Sequence, residues 1–443
     1  MEREPSLSTT ARRLAAALVF GCLPTLNACG IIGAQEQIER MDAACVIDGT
    51  VHGEVDGPET YAVVLFDESA MGLSLPPRAM DQVLSVAGGE WFFAVEPGRY
   101  SLVAFRDTDG DGTPGDSDPV HRVLGARALE CPAGGRFGGM DIVVPADAPL
   151  ARDLPAGARA GLHPTERSTS AVASVGQFSR LGKITELADP RFESAIARRG
   201  MWRPVDFVSE GKAGVYLLEP YDPDRVPVLF VHGIGGSPRD FRELAAHIDR
   251  DRFQPMFYYY PSGVGLGENA AFLAQTMTQL EIRHGIDEVH LVAHSMGGLI
   301  GHAFLRERER RGSPAQIAHF LTLATPWGGH AAAEWGVKMS PVVLPVWRDM
   351  APASRFISEL FNDSHPVAAS GLPDHHLLFA YRNDAGRSRV ATDGVVTLES
   401  MLRPEAQAQA DSVMGIHDTH VGILDNPRTI TRVNAILATE GSR

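Results

Sequence analysis

Basic residues are in deficit: 40 lysines and arginines face 55 aspartates and glutamates, for a formal charge of −15. A chain with that balance has no evident basic face for a phosphate backbone, so no nucleic-acid partner is expected. Long apolar runs are also missing. The most apolar stretch near the N-terminus is short and interrupted, which excludes a bundle of membrane-spanning helices. No internal repeat is found. The glycine-rich stretch "HGIGGSP" (232–238) has neither the G-K-[ST] ending nor the G-x-G-x-x-G spacing of a nucleotide-binding loop. Only four cysteines occur. What is present is an ordinary globular composition, 44% hydrophobic over 443 residues, long enough for two or three domains.

The N-terminus reads as a targeting segment. Arg12 and Arg13 precede "LAAALVFGCLPTL", and "LNAC" (Leu26 to Cys29) resembles a bacterial lipobox, whose cysteine is acylated and becomes the new N-terminus. "VFGC", ending at Cys22, competes with it, and a plain secretory signal is the alternative to lipidation. The resemblance implies an exported protein of the cell envelope, held on a membrane through lipid on Cys29, with the polar residues after Gly30 as a tether. Residues 1–29 are then outside the fold. Export leaves Cys45 and Cys131. In an oxidising compartment they suggest one disulfide closing the first domain end to end, stabilising by about 4 kcal/mol over so long a loop; two buried free thiols are the alternative.

Residues 45–147 carry short β-branched and aromatic runs ("CVIDGTVHG", "YAVVLFDE", "WFFAVEPGRYSLVAF", "MDIVVP") punctuated by Gly, Pro and Asp, as a small β-sandwich-like domain would. It resembles carboxypeptidase-regulatory or transthyretin-like domains. Within it, "DTDGDGTPGDSD" places Asp107, Asp109, Asp111, Gly112 and Asp118 at positions 1, 3, 5, 6 and 12 of an EF-hand-type loop, similar to those of dockerins and thrombospondin-type repeats. Either these carboxylates hold a structural calcium ion or the loop is a solvated acidic hairpin. Residues 148–175, rich in Ala, Pro, Ser and Gly, read as a linker. From 176 onward strand and helix signals alternate, which indicates an α/β domain with a mostly parallel sheet. "VPVLFVHG" is a continuous apolar run suited to a central strand, and "ENAAFLAQTMTQLEIRHG" has apolar residues at helical spacing.

"EVHLVAHSMGGLI" (288–300) is where the chemistry concentrates. A strand that runs into a serine and then glycines must turn sharply with one hydroxyl at the bend. A-H-S-M-G is the G-x-S-x-G elbow with alanine at its first position, and small side chains are needed at Ala293 and Gly297 because neighbouring elements crowd the turn. A serine requires a base and an orienting acid. Downstream, in the order Ser, Asp, His, stand Asp393 in "ATDGVV" and His420 in "HDTHVGIL". Asp384 and Asp418 are rival acids without the D-G-V-V context, and His417 is the rival base. The amide after the nucleophile, on Met296, pairs with that of Ile234 in "LFVHGIGG" as the oxyanion donors. His232 reads as a structural hydrogen-bonding residue.

These motifs resemble the α/β-hydrolase superfamily over residues 176–443, in particular bacterial lipases and esterases. "LATPWGGH" (323–330) is similar to a segment of lipases related to lecithin–cholesterol acyltransferases and inositol deacylases. The resemblance implies an α/β-hydrolase fold, cleavage of carboxylic esters of lipid or small-molecule kind through Ser295, Asp393 and His420, and no cofactor for catalysis. It also implies an acyl pocket lined by Thr325 and Trp327, with core packing as the alternative for Trp327, and a lid-like insertion at about 331–373. A thioesterase or acyltransferase on the same fold, or a catalytically silent envelope-binding module, are the rival readings.

Overall fold

The computed structural model describes residues 28–54, 59–68, 78–123, 128–154, 180–361, 373–382, 391–439 and 441. The signal segment up to Asn27, the linker from 155, the rival acid Asp384 and residues 362–372 of the insertion lie outside the described residues.

Among the described residues the N-terminal domain has nine short strands: β1 (Cys45–Gly53), β2 (Thr60–Asp67), β3 (Arg78–Val86), β4 (Glu90–Val95), β5 (Gly98–Asp107), β6 (Val120–Arg122), β7 (Leu129–Cys131), β8 (Arg136–Phe137) and β9 (Ile142–Val144). One sheet runs β4-β1-β8 with β9 also on β1; the other runs β3-β2-β5-β6 with β7 on β5. Alternation does the sorting. In β4 Trp91, Phe93 and Val95 are buried while their neighbours are half-exposed, the period of two that a one-sided strand requires. These residues meet Tyr61, Val63, Leu65 and Leu102 of the other sheet in one core. Cys45 and Cys131 form a disulfide between the two sheets, with Cα atoms 5.9 Å apart. The domain extends past the expected boundary at 147. Val120 N–H donates to Pro149 and Ala151 N–H to Asp118, each at 2.9 Å, so residues through 154 belong to it rather than to a linker.

The larger domain has an eight-stranded sheet of β10 (Arg180–Ile184), β11 (Gly214–Leu217), β12 (Val226–Val231), β13 (Phe253–Tyr259), β14 (Glu288–His294), β15 (Gln316–Leu323), β16 (Asp374–Tyr381) and β17 (Ser412–His417) in the order β10-β11-β13-β12-β14-β15-β16-β17. Strands β12 to β17 are mutually parallel, and β11 meets β13 antiparallel. Both faces of the central strands are covered. Leu229 and Val231 point to one core, Val228 and Phe230 to the other, which is why "VPVLFV" is apolar without alternation. No helix among the described residues is long and apolar enough to cross a membrane.

One helix differs from the reading of the sequence, and a second has a role beyond it. Helix α1 (Ala28–Asp42) occupies the stretch taken as a tether. Ala34 and Ile38 are buried in the core of the larger domain. Gln37 exchanges two hydrogen bonds with Asp206, at 3.0 and 3.1 Å, and Arg40 adds a third at 3.1 Å. Helix α2 (Leu266–His284) is buried on all sides, polar residues included. Its outer face carries the two domains' contact. Gln275 accepts the N–H of Phe92 at 3.0 Å and donates to the carbonyl of Phe92 at 3.1 Å, as a neighbouring strand would, and Gln279 accepts the N–H of Leu84 at 3.4 Å. β3 and β4 are the edge strands of their sheets, so α2 covers two edges that would otherwise invite pairing with other chains.

Candidate active site

Strand β14 ends at His294, helix α3 (Met296–Arg311) begins at Met296, and Ser295 between them has φ 54° and ψ −127°. This is backbone that L-residues seldom adopt, at a cost of order 1–3 kcal/mol. Among the described residues only Ala324 shares a positive φ without being glycine. The turn is held by Ser295 N–H donating to Leu323 at 2.8 Å. A Cβ on Gly297 would fall on the carbonyl groups of Val231 and His232, and one on Gly298 would fall on the Thr325 side chain. The glycines therefore let the helix start directly behind the bend.

The structure brings three separated side chains together. The Ser295 hydroxyl lies 2.8 Å from Nε2 of His420, and Nδ1 of His420 lies 2.6 Å from Oδ2 of Asp393. All three are buried, at 5%, 7% and 1% exposure. The other carboxylate oxygen of Asp393 accepts the N–H groups of Val395 (2.8 Å) and Val396 (2.7 Å). A carboxylate can only accept, so Nδ1 of His420 carries the proton and Nε2 is left to accept from the serine. The rivals are elsewhere: His417 is exposed and packs its ring on Tyr381, while Asp418 accepts from Thr419 N–H and Asn426.

Opposite the serine, the 232–236 loop passes so close that a Cβ on Gly233 would sit 3.0 Å from Ser295 Cβ and 3.4 Å from its Oγ. The N–H groups of Ile234 and Met296 donate to no protein acceptor among the described residues. Gly235 N–H is already taken by Ser262 at 3.0 Å. His232 is structural. Its Nδ1–H donates to Gly233 at 2.7 Å, its ring stacks on Tyr260 with centroids 4.1 Å apart, and burial lowers its pKa to about 4.

Sequence reading missed two further histidines. His294, inside the elbow motif, donates from Nε2 to the carbonyl of His420 at 2.9 Å; burial and the neighbouring His420 lower its pKa to about 3, so it stays neutral. His330 donates from Nε2 to the carbonyl of Val395 at 2.9 Å. Both act on backbone carbonyls, which leave no signature in the sequence of the partner.

Thr325 and Trp327 are both buried side chains. Thr325 is buried against the first turn of α3. Trp327 has no exposed surface and packs in the core among Phe320, His302, Phe361 and His375. In the insertion Leu344, Val346, Trp347, Met350 and Ile357 are core residues, and among its described residues helix α4 (Ala331–Met339) presents the large exposed apolar groups, Trp335 and Met339. Ile234, at the centre of the 232–236 loop, Val395, two residues from Asp393, and Val421, next to His420, are exposed as well. A separate cavity of about 970 Å³ opens between the end of α1, β4 and the two domains' contact, with Met41, Phe92, Phe272 and Arg311 among its walls; Ser295 is not one of them.

In the acidic loop, Asp107, Asp109 and Asp118 each offer a carboxylate oxygen within 4.8 Å of the others. Asp111 does not join them: its carboxylate turns to the N–H and hydroxyl of Thr113, at 2.6 and 2.7 Å. No lysine or arginine pairs with the three among the described residues, and burial raises the pKa of Asp107. Asp107 accepts the N–H groups of Gly110 and Gly112, and Asp118 those of Thr108 and Gly115; three carboxylates with no cationic side chain among them offer the hard oxygen donors that calcium takes.

Residues 226–343 match the family model described as alpha/beta hydrolase fold. Together with the parallel sheet and the strained serine between β14 and α3, this gives the larger domain the α/β-hydrolase fold. No curated protein matches the chain. Among solved structures, the chain is similar to a Bacillus licheniformis lipase in its mature form (20% identity, 49% of this chain and 94% of that one, TM-score 0.38). It is also similar to the lin2722 gene product of Listeria innocua (14% identity, 49% and 96%, TM-score 0.38) and to Aspergillus fumigatus lipase B (15% identity, 51% and 56%, TM-score 0.37).

Proposed function

We propose that the chain is an exported serine hydrolase of carboxylic esters, acting on lipid or small ester substrates. The observation that carries this reading is the unbroken hydrogen-bond chain from Asp393 through His420 to a serine held in strained backbone. Ser295 Oγ attacks the ester carbonyl while His420 Nε2 takes its proton. The imidazolium that forms is held by Asp393 and then protonates the departing alcohol. The N–H groups of Ile234 and Met296 are the free donors for the oxyanion, an arrangement in which one donor can be worth about 3 kcal/mol. Water, activated by the same imidazole, releases the acid. The exposed apolar side chains around the site suit an apolar acyl group. The disulfide supports an oxidising compartment, and acylation at Cys29, the second residue of α1, would anchor the protein on a membrane. The test is a set of ester, thioester and amide substrates sharing one acyl group. The ester is expected to be turned over fastest; a faster thioester would replace this reading with a thioesterase.

The acidic loop is proposed to hold a structural calcium ion on Asp107, Asp109 and Asp118. Millimolar calcium is expected to raise the melting temperature by several degrees, a chelator to reverse it, and Asp118→Ala to remove the response. An identical melting curve in calcium and chelator would rule the ion out.

A further inference from the structure

The segment "TPWGGH" is tied to the stretch that carries Asp393. Four contacts fasten it to residues 393–403. Gly328 N–H donates to Ser400 at 3.0 Å, Ser400 Oγ donates to Gly329 at 2.6 Å, Arg403 donates to Trp327 at 3.4 Å, and His330 Nε2–H donates to Val395 at 2.9 Å. Only the last meets the turn whose amides hold Asp393: Val395 and Val396 N–H donate to Asp393 Oδ1, and the Val396 N–H lies in the same peptide group as the Val395 carbonyl. His330 is at the same time the N-cap of α4, its Nδ1 accepting Ala332 N–H at 3.2 Å. That bond settles the tautomer. Nδ1 must be bare, so Nε2 carries the hydrogen that Val395 receives. Burial lowers the pKa of His330 and keeps the ring in this neutral form. One imidazole thus joins the start of the helix with exposed Trp335 and Met339 to the turn that presents the acid.

We propose that His330 is a positioning residue: by holding the carbonyl of Val395 it fixes the Asp393 turn against the base of α4, so that the start of this helix and the acid of the triad are coupled. This rests on the serine-hydrolase reading for its effect on turnover, though not for its effect on the turn.

Two substitutions separate the ring's two nitrogens. In His330→Asn the amide oxygen stands near the place of Nδ1 and can cap α4, but the bond to Val395 is lost. In His330→Gln the amide nitrogen reaches the place of Nε2 and can keep the bond to Val395, while the cap is lost. With an ester substrate, His330→Asn is expected to lower kcat about tenfold with KM changed less than about twofold, and His330→Gln to stay within about twofold of wild type, since small misplacements of catalytic groups cost rate more than binding. Amide hydrogen exchange at Val395 and Val396 is expected to be about tenfold faster in His330→Asn than in His330→Gln, as a turn loses protection when its anchor is cut. Equal exchange and equal kcat in the two variants would overturn the proposal. If His330→Asn merely melts earlier while those amides exchange as in His330→Gln, that too would overturn it and leave a helix cap only. A wild-type protein whose Ser295 resists a fluorophosphonate probe would instead refute the enzymatic reading, and the exchange measurement would still decide the role of His330.

Discussion

Ser295→Ala is expected to abolish fluorophosphonate labelling and to reduce ester turnover by about a millionfold, the size of loss seen when a triad nucleophile is removed. Asp393→Asn is expected to cost about ten-thousandfold while leaving the protein folded, and the reason lies in which atoms can donate. Asp393 Oδ1 accepts two amides and Oδ2 accepts Nδ1–H of His420. An asparagine can satisfy the two amides only with its oxygen, which turns its NH2 toward the imidazole. The ring must then accept at Nδ1 and carry its hydrogen on Nε2, facing the serine it should deprotonate. Rates measured with a chromogenic ester and burst titration with the probe check both variants. A Ser295→Ala protein retaining more than about a hundredth of wild-type activity would end the proposal of this triad, because no residual mechanism of the fold supplies that much.

Acid is expected to unfold the protein well before its carboxylates titrate. Burial lowers the pKa of His232 and His302 to about 4 and of His290, His294 and His375 to about 3. Each lies below the unfolded value, so the stability they confer is complete above about pH 6.5 and is lost as the pH falls from there toward 3–4, where the unfolded chain takes up protons that the folded one refuses. At about pH 5 one such group costs about 2 kcal/mol, and five together approach the whole stability of a typical domain, about 5–15 kcal/mol. Opposition comes from buried carboxyls such as Asp240 and Asp349, whose pKa burial raises. Thermal melts at about pH 8, 6.5 and 5 should show little change over the first interval and a steep fall over the second. His290, whose Nδ1 has no partner and whose ring stacks on His319, is the residue to replace; His290→Phe is expected to flatten that fall. A melting temperature constant down to about pH 5 would contradict the assignment.

The sequence was informative where steric demand restricts residue type. Gly297 follows the serine because a Cβ there would strike the carbonyls of Val231 and His232, and the order Ser295, Asp393, His420 could be read because each stands in a short motif, A-H-S-M-G, D-G-V-V and H-V-G-I-L. It was uninformative where a residue's partner is distant or is a backbone atom. Gln37 and Arg40 look like solvated tether residues until Asp206, more than 160 positions away, is placed beside them. The helical spacing of the apolar residues around Gln275 and Gln279 names no partner for these two amides, which dock on strand edges. Asp111 satisfies the calcium spacing and is drawn off by Thr113. Trp327 belongs to a motif associated with a pocket, and packing decides for the core. His330 stands at the end of that same motif, and only coordinates reveal what its second nitrogen does.

The burial of α2 on every side has a consequence for anyone who would cut this protein in two. The helix is a party wall. One face belongs to the hydrolase core and the other to the sandwich, and its glutamines complete both sheet edges. A truncated hydrolase would show a greasy, amide-studded flank to solvent, and an isolated sandwich would show two unpaired borders ready to stack into aggregates. Separating the halves would therefore call for redesign of Gln275, Gln279 and the strand edges they finish, rather than a choice of where to place a new start codon.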